Sequence, residues 1–199
     1  MSNRSSSFKS KNSFFSYNGT SLIIIGVIFL VCIIFVVDGL YRSRSDVGYL
    51  IAEDVEALVG IFKRIDESCH VISFDYQKNR INFLQIKKNG FVGSEVGSMN
   101  LAYPDKWDGP YLQQNPKISR QEYMIVYTHK GYFITPGVGV RLPNGKVVGK
   151  DLKLDENADV AVMLKDENGF LFKGRTLAAP LEFKQASFAT NLFENVEAE

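Results

Sequence analysis

Residues 21–37, SLIIIGVIFLVCIIFVV, run for seventeen positions without a charge, and no other feature limits the fold as strongly. A helix needs about 17–25 apolar residues to cross the hydrocarbon core of a bilayer. In lipid the backbone must satisfy its own hydrogen bonds, so a run of this kind is helical there. Leu40 and Tyr41 extend it past Asp38 and Gly39, which predicts a transmembrane helix over 21–41. The apolar core of a cleaved signal peptide is shorter, about 7–15 residues, and ends at a small-x-small site. The sequence here continues as Asp38-Gly39-Leu40-Tyr41-Arg42, so the run is read as a retained anchor.

The flanks orient it. Residues 1–20 carry Arg4, Lys9 and Lys11 and no acid, whereas the other side mixes Asp38, Arg42, Arg44 and Asp46. The positive-inside tendency places the N-terminus in the cytoplasm and the bulk of the chain outside it. The Ser- and Asn-rich segment 1–20 has no hydrophobic pattern and is predicted to be unstructured. Beyond the anchor, residues 42–185 have the usual size of one extracytoplasmic domain, followed by a tail over 186–199. A net charge of +1 gives no sign of a nucleic-acid partner. Cys32 lies within the apolar run and Cys69 beyond it, which excludes a disulfide framework.

After the anchor the periodicity is helical. Val47, Ile51, Val55, Leu58, Phe62 and Ile65 recur at steps of three and four. Glu53, Asp54, Glu56, Lys63 and Arg64 fall mostly on the other side, so the helix has a face for a core. No proline separates the two patterns, and one helix from about 21 to 66 is expected. From His70 onward short apolar runs alternate with turn signals. Four hairpins are predicted, pairing 71–76 with 81–86, 123–128 with 132–135, 138–142 with 146–148, and 160–164 with 170–173. Asn144-Gly145 supports the tight turn of the third. Residues 90–118 read as one long loop, a length that usually signals a specific role. The fold class expected is α+β, a long N-terminal helix packed on an antiparallel sheet. After Phe183 a loose segment or one short helix is expected.

Together these features resemble the type IV pilins and the pseudopilins of type II secretion. The resemblance covers roughly residues 15–135. Gly19 would end a short basic leader and Thr20 would become the new N-terminus, with Thr20-Ser21-Leu22-Ile23 similar to the family's start. Trp107-Asp108-Gly109-Pro110-Tyr111-Leu112 looks like the Trp-x-Gly-Pro-Tyr-Leu loop of the major pseudopilins. Ile24 stands where the family usually carries a Glu, and the family's aromatic residue after the Gly and its helix-kinking Pro are missing. A carboxylate in lipid is expensive without a partner, so Ile24 eases insertion but removes a device that sets register.

The resemblance implies a structural subunit in the bacterial inner membrane, with its main domain periplasmic or extracellular, acting in protein transport with other pilin-like subunits. Leu22, Ile24, Val27, Leu30 and Ile34 in the anchor would make helix contacts, with Trp107 and Tyr111 among the interaction residues of the domain. The alternative is a membrane-anchored binding or scaffolding module that does not polymerise. An enzyme has the least support. His70 and His129 are the only histidines, and neither has ligands at metal spacing apart from the adjacent Cys69-His70, which a strand would point to opposite faces. Tyr103, Trp107 and Tyr111 could form a binding patch, or fold the long loop onto the core. Two acidic turns, 155–159 and 166–169, cluster oxygen donors of the kind calcium takes. Solvated turns are their ordinary reading. The family's calcium loop near the C-terminus draws attention to them, and Asp155, Asn157 and Asp159 would be the ligands.

Overall fold

The structure, a computed structural model, describes residues 19–184. The chain divides into two compact units between Arg42 and Ser43. Helix α1 (Gly19–Cys69) is a single element of 51 residues, as the joined apolar and amphipathic patterns predict. Its 23–40 stretch is long and apolar enough to cross a membrane. Gly19 and Thr20 open the helix, and the rest of the leader and the 186–199 tail lie outside the described residues.

In the second unit α1 supplies one wall of the core. Ile51, Val55, Leu58, Phe62 and Ile65 are buried, while Glu53, Glu56, Lys63 and Arg64 are exposed. The helix ends at Cys69 because His70 turns into the left-handed region at φ 52°, a common way for a helix to stop. Asp66, one turn earlier, stays buried. Its carboxylate accepts from Val71 N at 3.0 Å and from Lys184 N at 3.1 Å. One side chain thereby ties the helix end to the first strand and to the last described residue.

The sheets are antiparallel throughout, and the fold is α+β. Strands β1 (Val71–Phe74), β4 (Met99–Leu101) and β3 (Glu95–Val96) form one sheet in the order β1-β4-β3. Strands β2 (Lys78–Arg80), β7 (Met124–Thr128), β8 (Gly131–Thr135) and β11 (Ala179–Leu181) form a second in the order β11-β8-β7-β2. Two short ribbons complete the set, β5 (Lys117–Ile118) with β6 (Gln121–Glu122) and β9 (Leu171–Phe172) with β10 (Arg175–Thr176).

Of the four expected hairpins, β7–β8 is present, with Tyr127 opposite Tyr132. The first is not. β1 pairs with β4 and β2 with β7, so neighbours in sequence join different sheets. Residues Ile81–Gln85 form a 3₁₀ helix instead of a strand. The reason is burial. Ile81, Phe83 and Leu84 are all buried, and a strand would turn Leu84 away from the face that holds Phe83. A 3₁₀ turn eclipses i and i+3, so Ile81 and Leu84 share one face.

The third hairpin keeps its turn but not its strands. Gly145 N donates to Leu142 O at 2.9 Å and Leu142 N to Lys146 O at 2.8 Å, with one bridge between Arg141 and Val147. In the fourth, Val160–Met163 is a one-turn helix, α2, because the Asp159 side chain caps it by accepting from Val162 N at 3.1 Å. The 160–164 and 170–173 segments still meet, Phe170 N donating to Met163 O at 2.7 Å, while β9 pairs with β10. The presumed long loop is also more ordered than expected, because β3 and β4 lie within it and β4 is the centre of its sheet. Cys69 and His70 sit at a helix end, not on the two faces of a strand.

Candidate interaction surfaces

The first surface is the apolar stretch of α1. Its large apolar side chains between Ile23 and Leu40 are 42–72% exposed. Among the anticipated contact residues, Ile24, Val27, Leu30 and Ile34 are all exposed, and Leu22 lies in the helix ahead of the described side chains. Soluble monomers rarely show an apolar patch of this extent, and such patches mark membrane or protein contacts. Exposure runs around the helix, Ile23, Phe29 and Phe35 included, so this surface suits lipid on every side as well as a neighbouring helix. Cys32 is free and exposed within it, whereas Cys69 is free and buried.

The Trp107–Leu112 segment proves to be a structural lock. Trp107 is fully buried, and its Nε1 donates to Ile86 O at 3.0 Å. Phe91 and Tyr111 meet its ring edge-on, with centroids 6.2 and 4.8 Å away. Tyr111 N and Leu112 N both donate to Leu84 O, at 2.9 and 3.1 Å, and Lys88 N donates to Gly109 O at 3.1 Å. A Cβ at Gly109 would stand 2.4 Å from Ile86 O and 2.5 Å from Trp107 Nε1, so only glycine fits beneath the indole. Trp107, Gly109, Tyr111 and Leu112 are thus held in place by packing and backbone hydrogen bonds against Leu84 and Ile86, at the end of the 3₁₀ helix. Trp107, anticipated as an interaction residue, offers no surface to a partner. Tyr111 is half-buried, and burial holds its hydroxyl above the usual tyrosine range. Tyr103 stays partly exposed, with the His70 ring 5.1 Å away and the Lys106 ammonium 4.4 Å above its own ring.

The acidic turn after β8 does not fit calcium. Asp159 caps α2 and forms an ion pair with Lys130. The Lys130 hydrogen bond holds this exposed carboxyl below the usual range. The Asn157 side-chain oxygen meets His129 Nε2 at 2.8 Å, and the turn's backbone accepts His129 N through Glu156 O at 3.0 Å. Asp155 is exposed, and its backbone oxygen accepts Ala158 N at 3.1 Å. The turn is thus committed to the His129-Lys130 tip of the β7–β8 hairpin. An ammonium already balances the carboxylate that a calcium ion would need. Among the described residues no three His, Cys, Asp or Glu converge as metal ligands.

Two acids on α1 carry roles that periodicity alone missed. Asp54 Oδ2 accepts from Tyr123 Oη at 2.8 Å, bridging the helix to the residue before β7. Burial raises the Asp54 carboxyl, partly offset by that hydrogen bond, and burial beside Asp54 pushes the Tyr123 hydroxyl far up. Asp66 is the second, and its signal was available, since it neighbours Ile65 on the buried side of the helix. Near it an open groove of about 810 Å³ lies between α1 and β11, lined by Val59, Phe62, Lys63, Tyr132, Leu181 and Phe183.

No family model matches this chain, and no curated protein or solved structure is similar to it.

Proposed function

We propose that this chain is a membrane-anchored assembly subunit of the pseudopilin kind, working in a type II secretion or type IV pilus-type machine by association rather than catalysis. The observation that carries the reading is α1 itself, one helix that begins as an outward-facing apolar stretch and ends as a wall of an α+β core. The Trp107–Leu112 lock on that core supports it. In this reading the anchor crosses the bacterial inner membrane with the N-terminus in the cytoplasm. Ile24, Val27, Leu30 and Ile34 pack against neighbouring anchors, and the domains meet outside.

Because Ile24 replaces a carboxylate, association would rest on shape and dispersion between helices, without a buried charge to fix register. The second reading is a permanent anchor holding a binding or scaffolding domain, which the all-round exposure of the apolar stretch suits equally. The N-terminal mass of protein recovered from its native membrane separates them. A start at Thr20, methylated on its amine, supports the assembly subunit. An intact Met1 overturns the processed-subunit reading and leaves the permanent anchor.

A further inference from the structure

Just past the apolar run, the domain gathers cations and aromatic rings on one patch. Ser45, four residues beyond Tyr41, accepts a hydrogen bond from Lys173 Nζ at 2.9 Å. Lys173 sits at the tip of the β9–β10 hairpin, with its ammonium 5.3 Å from the Phe172 ring and 5.9 Å from the Tyr49 ring. The Arg175 guanidinium lies over Tyr49 at 5.2 Å, and Tyr49 and Phe172 meet edge-on at 5.9 Å. Gly48 lets this happen. A Cβ there would fall 2.4 Å from the Phe172 ring and 2.9 Å from Pro143, so glycine allows the hairpin to close on the helix. Arg44, Tyr49, Lys173 and Arg175 are exposed, as is one acid of the same helical stretch, Asp46.

We propose that this patch binds the headgroups of anionic phospholipids in the leaflet that the anchor has just crossed. The inference rests on the membrane-spanning part of the reading above. At 1.5 Å per helical residue, Ser45 is about 6 Å of chain beyond the end of the apolar run, so covalent connection alone keeps the patch within reach of the headgroup layer. Tyrosine prefers that layer, with its ring toward hydrocarbon and its hydroxyl toward water. Each lysine or arginine near an anionic surface is attracted to it, over roughly a Debye length. Three cations against one acid give the patch the required sign. Phosphate oxygens accept from guanidinium and ammonium groups in place of water.

The test uses the full chain in nanodiscs of phosphatidylcholine alone or mixed with phosphatidylglycerol. A water-soluble amine-acylating reagent is added, and labelling of each lysine is followed by mass spectrometry. Lys173 should label about fivefold more slowly in the anionic discs, and high salt should abolish the difference. Lys117, paired with Glu122 in another ribbon, serves as the control and should not respond. Arg44→Glu and Arg175→Glu, both at exposed positions, should each reduce the lipid effect on Lys173. Equal Lys173 labelling in the two lipids, with the chain integrated in the disc, would overturn the headgroup contact and leave the anchor standing. A chain that fails to enter the disc overturns both.

Discussion

The two parts of α1 use similar side chains for different ends. From 23 to 40 isoleucine, valine and phenylalanine cover the whole circumference, and all are exposed. From 47 to 65 the same residue types keep to one face, and that face is buried. Apolar content alone would not separate them. What separates them is the polar half of the second stretch, which gives a helix one preferred side and so a reason to fold against a sheet. The first stretch has no such side and calls for an apolar medium all round.

Substitutions at matched positions should break or sharpen this contrast. Phe62→Ala, in the buried half, should cost the domain about 3–5 kcal/mol of unfolding free energy. Phe29→Ala, in the exposed half, should leave the same transition unmoved, and denaturant titration of the full chain in detergent reads both. If both variants shift the transition equally, the halves are not distinct. A charge reverses the ranking. Ile28→Arg should disfavour membrane insertion by about 3–4 kcal/mol while sparing the domain, as membrane fractionation beside the same titration would show.

Smaller effects probe the joints of the second half. Asp66→Ala leaves the buried Val71 N–H and the part-buried Lys184 N–H without their acceptor, at about 1–3 kcal/mol, again read from the denaturant midpoint. Asp54 should act through pH. Its folded carboxyl is raised by burial, so its stabilising contribution is present below the ordinary aspartate range and is lost as pH rises through the raised value. Asp54→Asn should flatten that slope in thermal melts and keep the Tyr123 contact. Asp159 should show the opposite sign and the least effect. Its carboxyl is lowered by Lys130, so that contribution is present above the ordinary range and is lost as pH falls through the lowered value. Lys130→Met should shrink it, leaving the part that comes from the Val162 N–H.

The sequence disclosed the helix and the β7–β8 hairpin because both follow from local periodicity. The 3₁₀ helix at Ile81–Gln85 stayed hidden because its apolar residues fit a strand until the long-range partners Tyr111 and Leu112 are known. α2 was legible in principle, since Asp159 three residues before Val162 is a cap signal, yet the β-branched residues outweighed it. Strand β4 is only three residues long and finds β1 some thirty residues earlier, a pairing no local pattern announces. For the candidate site, the exposed apolar residues of the 23–40 stretch were legible from hydropathy. For Trp107 the sequence left two readings, a binding patch or a loop folded onto the core, and its burial against Ile86 and Gly109 selects the second. The acidic turn could not be read past a solvated turn with calcium as the alternative, because its partners, His129 and the Lys130 ammonium, come from a hairpin almost thirty residues away.

Amide hydrogen exchange of the full chain in a bilayer, with and without enough urea to unfold the domain, compares the two halves of α1 directly. If one half is solvated by lipid and the other by the protein core, urea strips protection from residues 47–69 and leaves 23–40 protected. Loss of protection from both halves together would contradict that account and make α1 one helix of a single water-soluble fold.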